Sequence, residues 1–202
     1  MSNAPRLVLA SNTEVKDALK NLAAFVTKAE QGSYKAVIFP LAAFSSGQTR
    51  KKLAKLKQLV MERKISLEAG GWDLSSMVPR KHFFFHKDSF RMVEGKRVKD
   101  HHFCPTSLNA IKIIKTEGKK ILEAAAGIEV FHLWPDKGAE TAWCSCPTCR
   151  AFTVQEQGRI AVNVAADVLL AINPNASVTY FEKPNESCNI ALRKNIEILK
   201  EL

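Results

Sequence analysis

The chain has 202 residues, is 46% hydrophobic and 25% charged, and carries a formal charge of +10. That composition suits one globular unit with a substantial core, read as a single domain over residues 1–202,. It excludes collagenous, low-complexity and long-linker architectures, and no run reaches the roughly eighteen apolar residues that a transmembrane helix needs.

The first residues show no basic segment leading into a long apolar one, so a cytoplasmic location is the default expectation, with no membrane partner,. Lysines cluster at Lys51, Lys52, Lys55 and Lys57 and again at Lys112, Lys115, Lys119 and Lys120, between apolar positions of helical period. They read as the solvated outer faces of amphipathic helices, with a nucleic-acid surface as the less favoured alternative.

Taken in order, Arg6–Ala10 reads as a strand, and Ser11 with Glu14 forms a capping-box pattern,. The helix that follows places Val15, Ala18, Leu19, Leu22 and Val26 on one face,. Ala36–Phe39 is an uninterrupted apolar run, as expected of a strand buried on both faces,. A helix with Leu53, Leu56 and Val60 comes next, then a strand at Ile65–Glu68 running into Gly70-Gly71-Trp72-Asp73. The stretch Leu74–Pro105 has no clear period and is rich in aromatics and histidines, with His82, His86, His101 and His102 as candidates for ligation or proton transfer. Unpatterned connections of this length are often functional. A helix from Ser107 stops near Gly127, and a strand over Glu129–Leu133 breaks at Trp134-Pro135,. A helix from about Glu156 to Ile172, a strand at Ser177–Phe181 and a closing helix over Asn189–Leu202 complete the pattern.

Strands alternating with helices predict a parallel sheet with right-handed crossovers, either doubly wound or barrel-like. No glycine-rich dinucleotide turn or P-loop is present,. A complete (β/α) barrel takes eight units and about 250 residues. The expectation is therefore an α/β fold, a partial (β/α) TIM-type barrel with about five strand–helix units. Its chemistry belongs at the carboxyl ends of the strands, the last of them at Tyr180–Lys183,.

Three acids sit at such ends: Glu68, Asp136 and Glu182. With parallel strands about 4.8 Å apart, acids on nearby strands face one another across roughly 5–10 Å, the range in which two carboxyls flank a glycosidic bond. Trp72, Trp134, Trp143 and Tyr180 lie in the same loops, and flat aromatic faces suit sugar rings. The plain alternative is that such acids cap helices or pair with lysine. Cys144, Cys146 and Cys149 form a C-x-C-x-x-C cluster of soft ligands, suited to structural zinc if a fourth joins them,. Cys104, Cys188, His132, His101 and His102 are the candidates, with Cys104 as the working assignment; buried thiols or a disulfide are the alternative.

Glu68 to Asp73, Phe90 to Arg97, Phe103 to Ser107, Trp134-Pro135-Asp136 with the cysteine loop, Thr153 to Gln157 with Asn163, and Tyr180 to Glu182 together resemble a known pattern. The stretch from about Ile65 to Glu182 is similar to the bacterial domain of unknown function 4838, barrel proteins regarded as relatives of family-20 hexosaminidases and alpha-glucuronidases. The resemblance implies a glycoside-hydrolase-like barrel with a pocket lined from Glu68, His132, Asp136 and Glu182. Asp136-Lys137 stands where family-20 relatives carry an Asp-Glu pair, so a substrate-assisted mechanism is not supported. The expected function is a carbohydrate-active module, hydrolytic if Asp136 and Glu182 act as acid and base. Glu68, His132 and Tyr180 would contact substrate, and Trp72, Trp134 and Trp143 would stack on it. A partial barrel leaves strand edges open, which predicts self-association or a partner chain completing the sheet. A zinc module with a basic nucleic-acid surface and an inactive barrel remnant are the alternatives.

Overall fold

Short apolar runs ended by turn signals make the strands, and each amphipathic helix lays one stripe back across them. The computed structural model describes residues 5–139, 141–182 and 188–199. β1 (Arg6–Val8) leads into α1 (Asn12–Lys20), whose capping box is formed as expected between Ser11 and Glu14. The single helix expected here is two: Asn21 ends α1, and its side chain accepts from Ala24 N to start α2 (Leu22–Gln31). Asn competes with the helical backbone for hydrogen bonds and so favours a cap over an interior position.

β2 (Ala36–Phe39) is buried throughout, and a short 3-10 turn at Leu41–Ser45 precedes α3 (Gly47–Met61), which buries Leu53, Leu56 and Val60. Two of its lysines do more than face water. Lys52 Nζ donates to Leu19 O at 3.1 Å and Lys57 Nζ to Gly127 O at 2.5 Å. β3 spans Ser66–Gly71. The aromatic-rich stretch beyond it folds as 3-10 turns at Leu74–Met77, Arg80–Phe84 and Lys87–Ser89 and a small hairpin of β4 (Met92–Val93) and β5 (Lys96–Arg97). Phe90 and Phe103, both buried, bridge the base of this excursion. α4 (Leu108–Ile113), a π turn at Ile114–Gly118 and α5 (Lys119–Ala124) return the chain to β6 (Val130–Leu133). α6 (Val154–Ile172), β7 (Ser177–Phe181) and β8 (Ile196–Leu199) follow.

The six long strands form one parallel sheet in the order β1-β2-β3-β6-β7-β8. The order never reverses, which rules out a doubly wound sheet. Right-handed crossovers in one direction then place every helix on the same face, as in a barrel wall. The register pairs Ala69 with Phe131, Phe131 with Val178 and Val178 with Ile196, and these residues join Val37, Phe39, Leu67 and Tyr180 in the main core beneath the helices. The opposite face carries Ile38, Glu68, Gly70, His132, Thr179 and Glu197, so it holds the polar residues of the central strands where the other face is apolar,.

A second expectation, at the C-terminal end, is also corrected. Over its described part, the closing helix at Asn189–Leu202 gives way to β8, and the strands number six rather than five. Ile196-Glu197-Ile198 alternates apolar and polar, its two isoleucines are β-branched, and pairing with β7 buries Ile196,. Lys200–Leu202 and Lys183 lie outside the described residues. Among the described residues β1 and β8 each pair on one side only, so the sheet is an open, partial barrel. No described helix is long and apolar enough to cross a membrane.

Candidate functional site

Thr153 and Glu156 form a capping box that starts α6, which fixes Gln157 one turn inside. The Gln157 side chain accepts from Cys144 N at 3.0 Å and donates to Cys149 O at 3.2 Å, fastening the thiol loop to the helix. Cys104 arrives from the aromatic excursion, its N–H donating to Ser89 O at 2.8 Å. The four sulfurs of Cys104, Cys144, Cys146 and Cys149 lie within 4.8 Å of one another, all buried. Cys104 Sγ is 3.6 Å from Cys149 Sγ and 3.8 Å from Cys146 Sγ. Four sulfurs at about 2.3 Å from a tetrahedral zinc are separated by about 3.8 Å, so the spacing fits.

Donors also face the sulfurs. Cys144 Sγ accepts from Met92 N at 3.2 Å, Cys146 N at 3.5 Å and Arg97 Nη1 at 3.7 Å. Hydrogen bonds from Cys144 and Cys149 push the Cys104 thiol well down, while bonds from Cys104 and Cys144 push Cys149 well up. Four thiols compete to be one anion, and a bound cation lets all four ionise. These residues can hold a metal ion. Cys188 is half-buried and stands outside the group.

Asp136 sits above β6, where the cysteine loop begins. Its Oδ1 accepts from Ser75 N at 3.2 Å, Arg80 Nη2 is 3.8 Å from Oδ2, and His102 Nδ1 is 3.9 Å from Oδ1. His102 is fully buried, pairs Nε2 with Ala139 O at 2.8 Å and stacks on Trp143 at 4.1 Å between ring centroids. Asp73, above β3, accepts from Ala42 N at 3.4 Å through Oδ2. Asp73 Oδ1, Arg80 Nη1 and His102 Nδ1 are buried and make no hydrogen bond among the described residues. Burial and the nearby charge of Asp136 push Asp73 up to about 7, against the bond from Ala42 that lowers it.

Glu68, His132 and Trp134 form a second group, on the polar face of the sheet. Glu68 accepts from Arg6 Nε at 3.3 Å and from Ser66 Oγ at 2.9 Å, and meets His132 Nε2 at 2.7 Å. Burial works to raise Glu68, but the hydrogen bonds from His132 and Ser66 and the nearby Arg6 charge together hold it below its ordinary value. Burial pushes His132 down. A neutral His132 therefore donates from Nε2 to the carboxylate and accepts through Nδ1 from the Thr179 hydroxyl at 2.7 Å, whose oxygen takes the Trp134 indole N–H at 2.9 Å,. The bonds of this chain close on themselves, and His132, Thr179 and Trp134 are fully buried. Trp72 meets Trp134 and Phe181 edge-on at 5.2 and 4.9 Å and stays partly exposed.

The remaining two candidates lie elsewhere. Tyr180 is in the main core beneath α6, so close to Gly158 that a methyl there would overlap its hydroxyl. Glu182 is forked by Arg159, with Nε and Nη2 each 2.8 Å from a carboxylate oxygen. Asp136 and Glu182 thus have separate partners. Arg80 and Arg159 were not singled out from the sequence; Asp73 and Gln157 entered only within longer stretches, Glu68 to Asp73 and Thr153 to Gln157.

Sheet order, one-sided helices and a polar cluster above the carboxyl ends define the class: an α/β protein built as the wall of a (β/α) barrel, the fold of its glycosidase neighbours. Among solved structures the chain is similar to the alpha-galactosidase from Lactobacillus brevis, with a TM-score of 0.51 and 10% identity over 89% of this chain and 27% of that one. It also matches the debranching enzyme of Nostoc punctiforme, at a TM-score of 0.47 and 13% identity over 91% of this chain and 50% of that one. The chain spans about a quarter of the galactosidase's length, and at this identity the likeness is one of fold. No family model matches the sequence, and no curated protein matches it.

Proposed function

We propose that the chain is a carbohydrate-active, glycoside-hydrolase-like barrel module, akin to the bacterial domain of unknown function 4838, that binds sugar at Asp136. The observation that carries this reading is the set of buried, unpartnered polar atoms on Asp73, Arg80 and His102, gathered around Asp136 at the end of the sheet. Buried polar atoms in native proteins find partners, and a ligand rich in hydroxyls supplies them. The carboxyl end is also where parallel sheets and barrels place their ligands. The Lactobacillus brevis neighbour, named as an alpha-galactosidase, makes a glycoside the first ligand to try.

Trp72 is the aromatic face available for a sugar ring, since Trp134 and Trp143 are buried. Glu182 reaches a ligand only if its fork with Arg159 opens. The metal held by the four cysteines is zinc in a structural role, because four thiolates with no open position suit zinc and leave no place for substrate. A second copy of the chain completes the sheet along β1 or β8, where strand edges are unpaired among the described residues,.

The test is a titration of the zinc-loaded protein with methyl α-galactoside, methyl β-glucoside and methyl N-acetyl-β-glucosaminide, followed by amide NMR. Saturable shifts confined to Trp72, Ser75, Arg80 and Asp136 are expected, and Asp136→Asn should remove them. Wild-type spectra unmoved by every glycoside would refute the carbohydrate reading. Native mass spectrometry of the same sample reads zinc content and oligomeric mass.

A further inference from the structure

We propose that Asp73, and not Glu182, is the second carboxyl of the ligand site, working with Asp136 as a donor–acceptor pair on two neighbouring hydroxyls of a sugar. The inference rests on the carbohydrate reading for its ligand, and on geometry for its residues. Gly70 and Gly71 have φ of 110° and 98°, so β3 turns sharply at its end and delivers Asp73 into the mouth of the sheet,. β6 is the adjacent strand, and Asp136 follows it. Backbone bonds lash the two loops together: Leu74 N donates to Trp134 O at 3.1 Å, and Trp134 N to Gly71 O at 3.2 Å. Ser75 N then reaches the Asp136 carboxylate itself.

Within this frame Asp73 takes Ala42 N on Oδ2, with Leu41 N and the Ser76 hydroxyl also close to the carboxyl, while Oδ1 is buried and makes no hydrogen bond among the described residues. His102, fully buried, is the independent pointer to a ligand. Its Nε2 is taken by Ala139 O, and its Nδ1 faces Asp136 Oδ1 from 3.9 Å, too far for a hydrogen bond, with no partner of its own,. A ligand hydroxyl donating to Nδ1 would give it the partner it lacks, and a neighbouring hydroxyl would donate to Asp136.

The groups facing the pair are Asp136 from the β6 loop, Arg80 from the 3-10 turn at Arg80–Phe84 and His102 from the segment before Cys104. The turn at Leu41–Ser45 offers backbone N–H groups, and Ser76 adds an uncharged hydroxyl. With its pKa pushed up to about 7, Asp73 keeps a proton to donate over much of the neutral range. Asp136, taking Ser75 N–H and facing Arg80, is the acceptor. One donor beside one acceptor matches a vicinal diol, in which each hydroxyl both gives and receives. Glu182, by contrast, has each oxygen engaged by Arg159.

The experiment uses the zinc-loaded chain and methyl α-galactoside, with methyl β-glucoside and methyl N-acetyl-β-glucosaminide as further probes. Asp73→Asn, which keeps a donor, should bind within about threefold of wild type, whereas Asp73→Leu should lose about tenfold or more. Wild-type affinity should fall as pH rises through about 7, and the Asp73→Asn profile should stay flat. Binding by Asp73→Leu equal to wild type, or a flat wild-type profile, would overturn the proposal. Carboxyl carbon NMR judges the pair without any ligand. Asp73 should titrate near 7, and lower once Asp136→Asn removes its neighbour. A midpoint near 4 would sink the inference whether or not a sugar binds. A midpoint near 7 with no glycoside bound would sink the choice of sugar and, with it, the carbohydrate reading.

Discussion

The fork between Arg159 and Glu182 decides whether Glu182 is a brace or a working acid, and a double-mutant cycle measures it. Arg159 makes three bonds: two of 2.8 Å to Glu182 and one of 2.9 Å to Ile190 O. The Glu182 side chain is 8% exposed, so Arg159→Met keeps the stem but leaves a largely buried carboxylate without its cation. Breaking such a pair costs about 3–5 kcal/mol, and the open edge of the site argues for about 3. Glu182→Gln keeps a hydrogen-bond acceptor but loses the charge assistance, for about 1–2 kcal/mol. Asn163 and Arg193 N tie the same segment to α6, so the protein should stay folded in both variants. Because the unpaired charge disappears in the double variant, its loss should fall about 2 kcal/mol short of the summed singles. Urea unfolding followed by circular dichroism at pH 7, with zinc held constant, reads all four corners. Strictly additive losses, or an Arg159→Met cost below about 1 kcal/mol, would refute the brace and return Glu182 to the candidates for catalysis.

Metal, pH and packing give three more expectations. Cobalt exchanged into the thiol site should show the intense tetrahedral and thiolate charge-transfer bands of four-sulfur coordination, and weak octahedral bands would contradict the assignment,. Between about pH 4 and about pH 7 the folded protein holds a proton on Asp73 that the unfolded chain has released. Stability therefore falls as pH rises through that window, by at most about 4 kcal/mol, and Asp73→Asn should remove this slope in urea titrations at pH 5 and pH 8,. Gly158→Ala would drive a methyl into the Tyr180 hydroxyl and against the Trp143 ring at 3.4 Å. It should cost about 1–3 kcal/mol, and an unchanged melting temperature would show that α6 does not press on β7 as described.

Features governed by local chemistry were legible in the sequence. The capping box at Ser11, the buried run of β2 and the thiol spacing each follow from neighbours a few residues apart, and Cys104 lies with the three thiols as a fourth sulfur. What escaped depends on contacts between distant segments. Leu192, Ile196 and Leu199 match a helical stripe, yet a free edge on β7 drew Ile196–Leu199 into a strand. Tyr180 follows Thr179, so strand alternation sends the two to opposite faces, and only the sheet shows which face the helices cover,. Nothing near Glu182 announces Arg159, which is 23 residues away. Asp73 and Asp136 become a pair only because β3 and β6 lie side by side across the whole aromatic excursion.

A metal held by the four sulfurs, as proposed above, would also set an order of assembly. Cys104 and Cys146 are 42 residues apart, and a link across such a span removes about 4 kcal/mol of chain entropy from the unfolded ensemble,. The helices that separate β1, β2 and β3 dock through local apolar stripes and need no such link. The segment carrying Arg80 and His102 is different: it is short turns and a two-residue hairpin, cinched at its far end by the sulfurs. If the four sulfurs take up metal as proposed, this is the segment whose order depends on it. The residues gathered at Asp136 would then be assembled by zinc loading rather than by core formation. In a metal-poor cell, nascent chains could acquire their barrel wall and still lack a finished mouth.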